Sequence, residues 1–162
     1  MSMRVRIVPV FLDLILISCM ISWITISGLA VDFDIKVDKP LKVFLLRLAK
    51  VIEEHRWNDV LTYFDPENFR VQREIGVSTP QYIADGLGLG YVDNHLIPRE
   101  GDSSEYSKLN SIETTRYTGY ETTEWGGIII RGKVALYNGE YRDLTLYIVQ
   151  TDGGYTMQPP VG

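Results

Sequence analysis

The pattern of apolar and polar positions changes character twice along this chain. Residues 7–31 form a mostly apolar run. Between about residues 40 and 90, apolar side chains recur at the three- to four-residue spacing that is typical of amphipathic helices. From about residue 111 onward they alternate with polar side chains, as in strands with one buried face. The pattern therefore predicts a leader, then helices, then a sheet.

The apolar run has the features of an export or anchor segment. Arg4 and Arg6 precede it, and residues 14–31 contain no charge over 18 positions before Asp32 opens a polar stretch. A short basic region followed by such a run is typical of a secretory signal or a single membrane span. We assign residues 1–31 to this leader, 32–39 to a tether and 40–162 to one domain.

Three fates of the leader fit its sequence. Signal peptidase could cut after Ala30, the run could stay uncut as an anchor, or Cys19 could be lipidated within a lipobox. In the anchor case the two basic residues predict a cytoplasmic N-terminus. All three place the domain outside the cytoplasm, periplasmic or secreted, with membrane contact through residues 7–31 if the run is uncleaved.

Helix signals fill the first half of the domain. Asp38 and Pro40 predict the start of a first helix that runs to about His55, with one apolar stripe. Asn58 is predicted to cap a second helix, and residues 69–75 fit a helical turn or a short strand. Thr79 and Pro80 predict the start of a third helix, which the following glycines end (Gly86, Gly88, Gly90).

Four strands are predicted in the second half. Residues 111–124 and 128–137 form the first two, and Asn138-Gly139 predicts a type I′ hairpin turn into a third strand. Asp152-Gly153-Gly154 turns the chain into a last strand at residues 155–158. Helices followed by an antiparallel sheet give an α+β fold.

This order of elements resembles the NTF2-like, or cystatin-like, superfamily over about residues 40–160. The resemblance rests on the helical corner WNDVLTYFDPENF and on the closing hairpins GKVALYNGEYRDLTLYIVQTDGGYTM. It implies N-terminal helices packed on a curved antiparallel sheet that forms a cone with a cavity. The superfamily includes isomerases, cyclases, dehydratases and non-catalytic binding domains, so the fold does not choose the function.

Charge and cysteine content exclude several function classes. The chain carries a formal charge of −5, and the leader contributes +1, so the remainder carries −6. An acidic domain offers no basic face for phosphate backbones, and we predict no nucleic-acid binding. Cys19 is the single cysteine, which leaves the domain without a disulfide, a thiol nucleophile or a cysteine-based zinc site. No metal or other cofactor is predicted.

One acid–base site is conceivable near the end of the third helix. Asp85, Asp93 and His95 lie where a cone cavity would open, and a carboxylate there could orient His95 as a general base. A polar loop with no chemistry explains the same residues. Among the aromatic residues, the candidates for binding a ligand are Tyr82, Tyr91, Tyr63 and Trp57, since tyrosine can pack its ring and donate a hydrogen bond.

The leading hypothesis is a non-catalytic extracytoplasmic domain that binds a protein partner or a small ligand of apolar or mixed polarity. The alternatives are a lyase or isomerase that uses the acid–base residues, and an envelope protein-interaction module that uses the sheet face. A homodimer through the threonine- and tyrosine-rich strand is a further expectation.

Overall fold

A computed structural model describes residues 35–90 and 96–159, and the predicted leader lies outside these residues. Within the described residues, four helices precede a four-stranded antiparallel sheet, which confirms the α+β order. The helices are α1 (Lys39–Glu53), α2 (Trp57–Leu61), α3 (Pro66–Glu74) and α4 (Thr79–Gly86), and a 3-10 turn covers Leu109–Ser111. The strands are β1 (Ile112–Thr122), β2 (Ile128–Leu136), β3 (Tyr141–Thr151) and β4 (Gly154–Gln158).

The sheet is a meander in the order β1-β2-β3-β4, and it is not strongly curled. This corrects the expectation of a strongly curved cone. Register shifts occur in β1, between Ile112 and Thr114 and between Tyr117 and Gly119, whereas β2 pairs with β3 without a shift. Bulges bend the strand that contains them. Both shifts lie in an edge strand, and the central pair of strands, β2 and β3, is regular.

Helix α1 packs its buried stripe against the sheet. Its predicted start is confirmed, since Asp38 Oδ1 accepts a hydrogen bond from the Leu41 N–H at 2.9 Å. The fully buried Tyr117 of β1 donates its hydroxyl to the Leu45 carbonyl of α1 at 3.1 Å. This hydrogen bond helps to fix the position of α1 relative to β1. The buried α1 residues are Leu41, Leu45, Leu48, Ala49, Val51 and Ile52.

Two helix starts differ from the sequence prediction. Asn58 does not cap α2, because the helix already begins at Trp57 and the Arg56 carbonyl accepts from Val60. Helix α4 begins at Thr79 rather than after it, and Ser78 supplies the cap by accepting from the Gln81 N–H at 3.3 Å. The cap of α2 therefore lies two residues before the predicted Asn58, and the cap of α4 lies one residue before the predicted Thr79.

The ambiguous stretch at residues 69–75 belongs to α3. Asp65 Oδ1 accepts from the Glu67 N–H at 2.8 Å and caps the helix. None of the residues in α3 is fully buried. The helix therefore leaves no strong apolar stripe in the sequence, which explains the ambiguity.

The β2–β3 hairpin is confirmed, but its turn type is not. Gly139 donates its N–H to the Leu136 carbonyl at 2.9 Å and has a φ of 81°, whereas Asn138 lies outside the left-handed region. A type I′ turn needs positive φ at both central residues. Here Asn138 Oδ1 instead accepts from the Glu140 N–H at 3.0 Å, and a single left-handed glycine closes the hairpin.

Replacing Thr115 with valine is expected to stabilise the domain by about 1 kcal/mol. Its hydroxyl oxygen is buried and has no hydrogen-bond partner in the part of the chain that the structure describes. Valine has nearly the same shape and removes the unmet polar group. Urea unfolding of the two proteins measures the difference, and a loss of stability in T115V would contradict the expectation.

Candidate functional site

A groove of about 630 Å³ lies between α1, the residues after α2 and the β3–β4 turn. We call it the α1 groove. Within it, α1 presents a face beside its buried stripe, because successive helical turns bring every third or fourth residue to the same side. Its lining residues are Lys39, Pro40, Val43, Phe44, Arg47, Thr62, Tyr63, Gly153, Gly154 and Tyr155.

Three aromatic rings form the floor of the α1 groove. The Phe44 ring packs edge-on against Tyr63, with centroids 5.2 Å apart, and against Tyr155, with centroids 5.7 Å apart. All three side chains are half-buried. Such edge-to-face packing fixes the rings relative to one another and leaves a preformed apolar surface. An apolar or aromatic group could bind there without rearranging the floor.

Two cations stand at the rim of the α1 groove. Lys39 and Arg47 are exposed, and neither forms a salt bridge within the described part of the chain. Burial raises the pKa of Tyr63, while Arg47 lowers it in part, so the guanidinium acts on the phenol. The hydroxyl of Tyr63 therefore stays protonated at neutral pH. The rim thus offers positive charge and neutral hydrogen-bond donors.

The N-terminus of α1 is already satisfied from within the domain. Asp38 caps the helix and also accepts a hydrogen bond from the Tyr155 hydroxyl at 3.2 Å. Burial and this carboxylate both raise the pKa of Tyr155. The helix end therefore holds one wall of the groove in place and is not the element that would attract an anion.

Of the residues predicted to bind a ligand, Tyr63 lines the α1 groove. Tyr82 lies in the core, its ring 5.0 Å from both Phe64 and Phe69, and its hydroxyl donates to Asn68 Oδ1 at 3.0 Å. Burial raises the pKa of Tyr82 to about 12. The structure therefore does not bring Tyr82 and Tyr63 to one cavity.

The acid–base candidates are only partly described. Asp85 is half-buried in the last turn of α4. Asp93, His95 and Tyr91 lie outside the described residues, so the convergence of Asp85, Asp93 and His95 on one site stays a prediction.

Trp57 lines a second, smaller pocket of about 330 Å³. Its indole is buried, stacks between the rings of His55 and Tyr106, and donates its N–H to Asn110 Oδ1 at 2.8 Å. His55 has a φ of 54°, and its Nε2 lies 2.6 Å from the Ile112 carbonyl oxygen, which accepts the ring N–H. These bonds join the end of α1 to the start of β1, and they give the stack a structural role.

The face of the sheet that points away from the helices mixes charges with a few apolar side chains. Arg131 pairs with Glu121 at 2.8 Å across β1 and β2, and the ring of Tyr147 is partly exposed on β3. Opposite charges on neighbouring strands are what a solvated face shows. The sheet-face interaction module stays a proposal.

Residues 35–90 and 96–159 contain no group of three or more histidine, cysteine or acidic side chains that could hold a metal ion. Within the same residues, no helix has the length and apolar character that crossing a membrane requires. No protein-family model, curated protein or solved structure gives a significant match to this chain.

Sequence reasoning missed most of the α1 groove. It named Tyr63 as a candidate, but it gave no ligand-binding role to Phe44, Lys39, Arg47 or Tyr155. A signal was present, since Lys39, Val43 and Arg47 follow one another at four-residue spacing. These residues form a second continuous stripe on α1. Because the stripe mixes charged and apolar side chains, the search for apolar periodicity did not detect it.

Proposed function

We propose that the described domain is a non-catalytic binding domain whose α1 groove takes an apolar or aromatic group that carries a negative charge. The observation that carries the proposal is the combination of a preformed aromatic floor with Lys39 and Arg47 at the rim. Ligand sites typically join a mainly apolar surface to a few well-placed polar groups. A small molecule or a side chain of a partner protein could supply the group.

The lining of the α1 groove favours binding over acid–base catalysis. No carboxylate or imidazole is among the described residues that line it. Its phenols have raised pKa values and stay protonated at neutral pH. General acid–base catalysis works best with groups whose pKa lies near the operating pH. The groove residues suit recognition of a ligand better than proton transfer.

We further propose that the domain is NTF2-like and lies outside the cytoplasm. The order of helices and antiparallel strands supports the first point, with a sheet that is not strongly curled. The basic residues and apolar run of the leader support the second. A reporter enzyme that is active only outside the cytoplasm, fused after Gly162, tests the export proposal, and an inactive fusion would contradict it.

Indole-3-propionate is a suitable probe of the α1 groove, since it joins an aromatic ring to a carboxylate. Arg47→Gln is expected to weaken its binding about three- to tenfold, which corresponds to one exposed charge-assisted contact. The uncharged amide of the same compound should bind R47Q and the original protein equally. Titration followed by calorimetry or by NMR shifts of the groove residues measures both affinities.

Lys50→Gln is the matched control. Lys50 is an exposed cation one turn further along α1, it does not line the groove, and it pairs with Glu54 at 3.8 Å. Its replacement removes the same charge from the same helix, so the affinity for indole-3-propionate should stay the same. If K50Q and R47Q weakened binding equally, the effect would be general charge and the proposed site would be wrong.

A further inference from the structure

The most exposed large hydrophobic side chain in the described part of the chain is Trp125, with 92% of its surface accessible. It lies at the tip of the β1–β2 hairpin, beside Glu124. The indole ring has a larger apolar surface than most side chains. An indole that is surrounded by water does not contribute to the stability of the fold. Its position suggests a contact with something outside this molecule.

The turn that carries Trp125 is held by several hydrogen bonds. Thr123 accepts from the Gly126 N–H at 3.1 Å through its carbonyl and from the Gly127 N–H at 2.9 Å through its hydroxyl. The Thr123 N–H in turn donates to the Gly127 carbonyl at 2.8 Å. The backbone of the tip is therefore ordered before binding, which reduces the entropic cost of presenting the hairpin to a partner.

Trp125 and the α1 groove lie at the same end of the sheet. In an antiparallel meander the β1–β2 and β3–β4 turns fall at one end and the β2–β3 turn at the other. Gly153 of the β3–β4 turn and Gly154 at the start of β4 line the groove. Two strand spacings separate the two turns, which is about 10 Å. A projection and a recess thus stand side by side.

The projection and the recess are complementary in shape and charge. The tip offers an aromatic ring beside the carboxylate of Glu124, which forms no salt bridge within the described residues. The recess offers an aromatic floor and the cations Lys39 and Arg47. At about 630 Å³ it has room for one indole with its flanking turn. The tip therefore has the chemistry that the proposed function requires of a ligand.

We propose that the α1 groove binds the Trp125 hairpin tip of a second copy of this chain. The proposal rests on the proposed function and names its partner. Because tip and groove share one end of the molecule, a two-fold axis at that end allows each tip to enter the groove of the other copy. Such an arrangement is closed and self-complementary, as in most homodimers.

The first test uses the full-length chain, coexpressed with two different affinity tags, and measures how much of one copy is recovered with the other. Trp125→Ala is expected to reduce recovery about thirtyfold or more, since a central aromatic anchor dominates such contacts. Arg47→Glu alone and Glu124→Arg alone should each reduce it about tenfold. In a dimer of one R47E copy and one E124R copy, both contacts carry opposite charges, one in the original sense and one reversed, and recovery should rise again. Loss without this rescue would overturn the pairing of tip and groove.

Disulfide trapping tests the geometry in the same full-length chain with Cys19 replaced by serine. Glu124→Cys together with Val43→Cys should give a covalent dimer on mild oxidation. Asn138→Cys together with Val43→Cys is the matched control, because Asn138 is at the tip of the β2–β3 hairpin at the opposite end. Equal yields from both pairs would overturn the proposal.

The two proposals fail in different ways. If indole-3-propionate binds through Arg47 while W125A leaves recovery of the second copy unchanged, the groove is a site for another ligand and the self-association is wrong. If neither the probe nor the second copy depends on Arg47, both proposals fall. If recovery depends on Trp125 but not on Arg47 or Val43, the tip binds elsewhere, and the proposed occupant of the groove is wrong.

Discussion

Gly132→Ala is expected to lower the free energy of unfolding by about 3 kcal/mol. Gly132 is buried in β2, at the centre of the sheet, where it pairs with Tyr117 of β1 and Leu144 of β3. A methyl group there would overlap with the carbonyl oxygen of Arg116 and lie 3.3 Å from Leu144 Cδ2. The first neighbour is backbone and cannot rotate away, so β1 and β2 would have to separate.

Gly153→Ala is the control for this substitution. Gly153 is in the exposed β3–β4 turn, and a methyl group there would meet nothing closer than Thr151 Oγ1, at 3.9 Å. The free energy of unfolding of G153A should differ from that of the original chain by less than about 0.5 kcal/mol. Chemical unfolding followed by circular dichroism compares both variants with the original chain. Equal stabilities of G132A and G153A would show that the strands yield more easily than the close approach implies.

The need for glycine at position 132 illustrates what the sequence could predict and what it could not. The alternation of apolar residues from Ile128 to Leu136 was enough to predict a strand, since a period of two is a local property. The close approach of the Arg116 carbonyl depends on how β1 and β2 pair across the shift between Tyr117 and Gly119. A bulge of this kind leaves little trace in the alternation of one strand, so the glycine looked like any other.

The same reasoning applies to the α1 groove and to curvature. The N-cap and the apolar stripe of α1 were predicted from neighbouring residues, as were the hairpins, because capping and turn formation are local. The groove joins Arg47 of α1 to Tyr63 after α2 and Tyr155 of β4, residues far apart in the chain. Their meeting depends on the packing of whole elements. The expected cone failed for the same reason, since curvature follows from where the bulges fall.

Glu53→Ala is expected to lower the free energy of unfolding by about 1–3 kcal/mol. Glu53 Oε1 accepts a hydrogen bond at 2.7 Å from the Thr115 N–H of the edge strand β1. Thr115 is buried, so removal of the carboxylate leaves a backbone donor without a partner. Glutamine can accept the same bond without a charge. Glu53→Gln should therefore keep the stability at pH 7 or raise it slightly.

The stability difference between the original chain and E53Q should depend on pH. Burial raises the pKa of Glu53 above its ordinary value of 4.5, although the bond from Thr115 lowers it in part. The folded state thus holds a proton on this group more tightly than the unfolded state does. By linkage, protonation of Glu53 stabilises the fold below the unfolded pKa, and this contribution is lost as the pH rises through the folded pKa.

Unfolding measured from pH 7 down to about pH 4 should therefore show the original chain gaining stability relative to E53Q as the pH falls. Glu54→Ala is the control, because Glu54 is exposed on the same turn of α1 and pairs with Lys50 and Arg56 at the surface. Glu54→Ala should lower the free energy of unfolding by less than about 1 kcal/mol. A relative stability that fell with decreasing pH would mean that the bond to Thr115 outweighs burial, and Glu53 would then act as a charged clamp on the edge of the sheet.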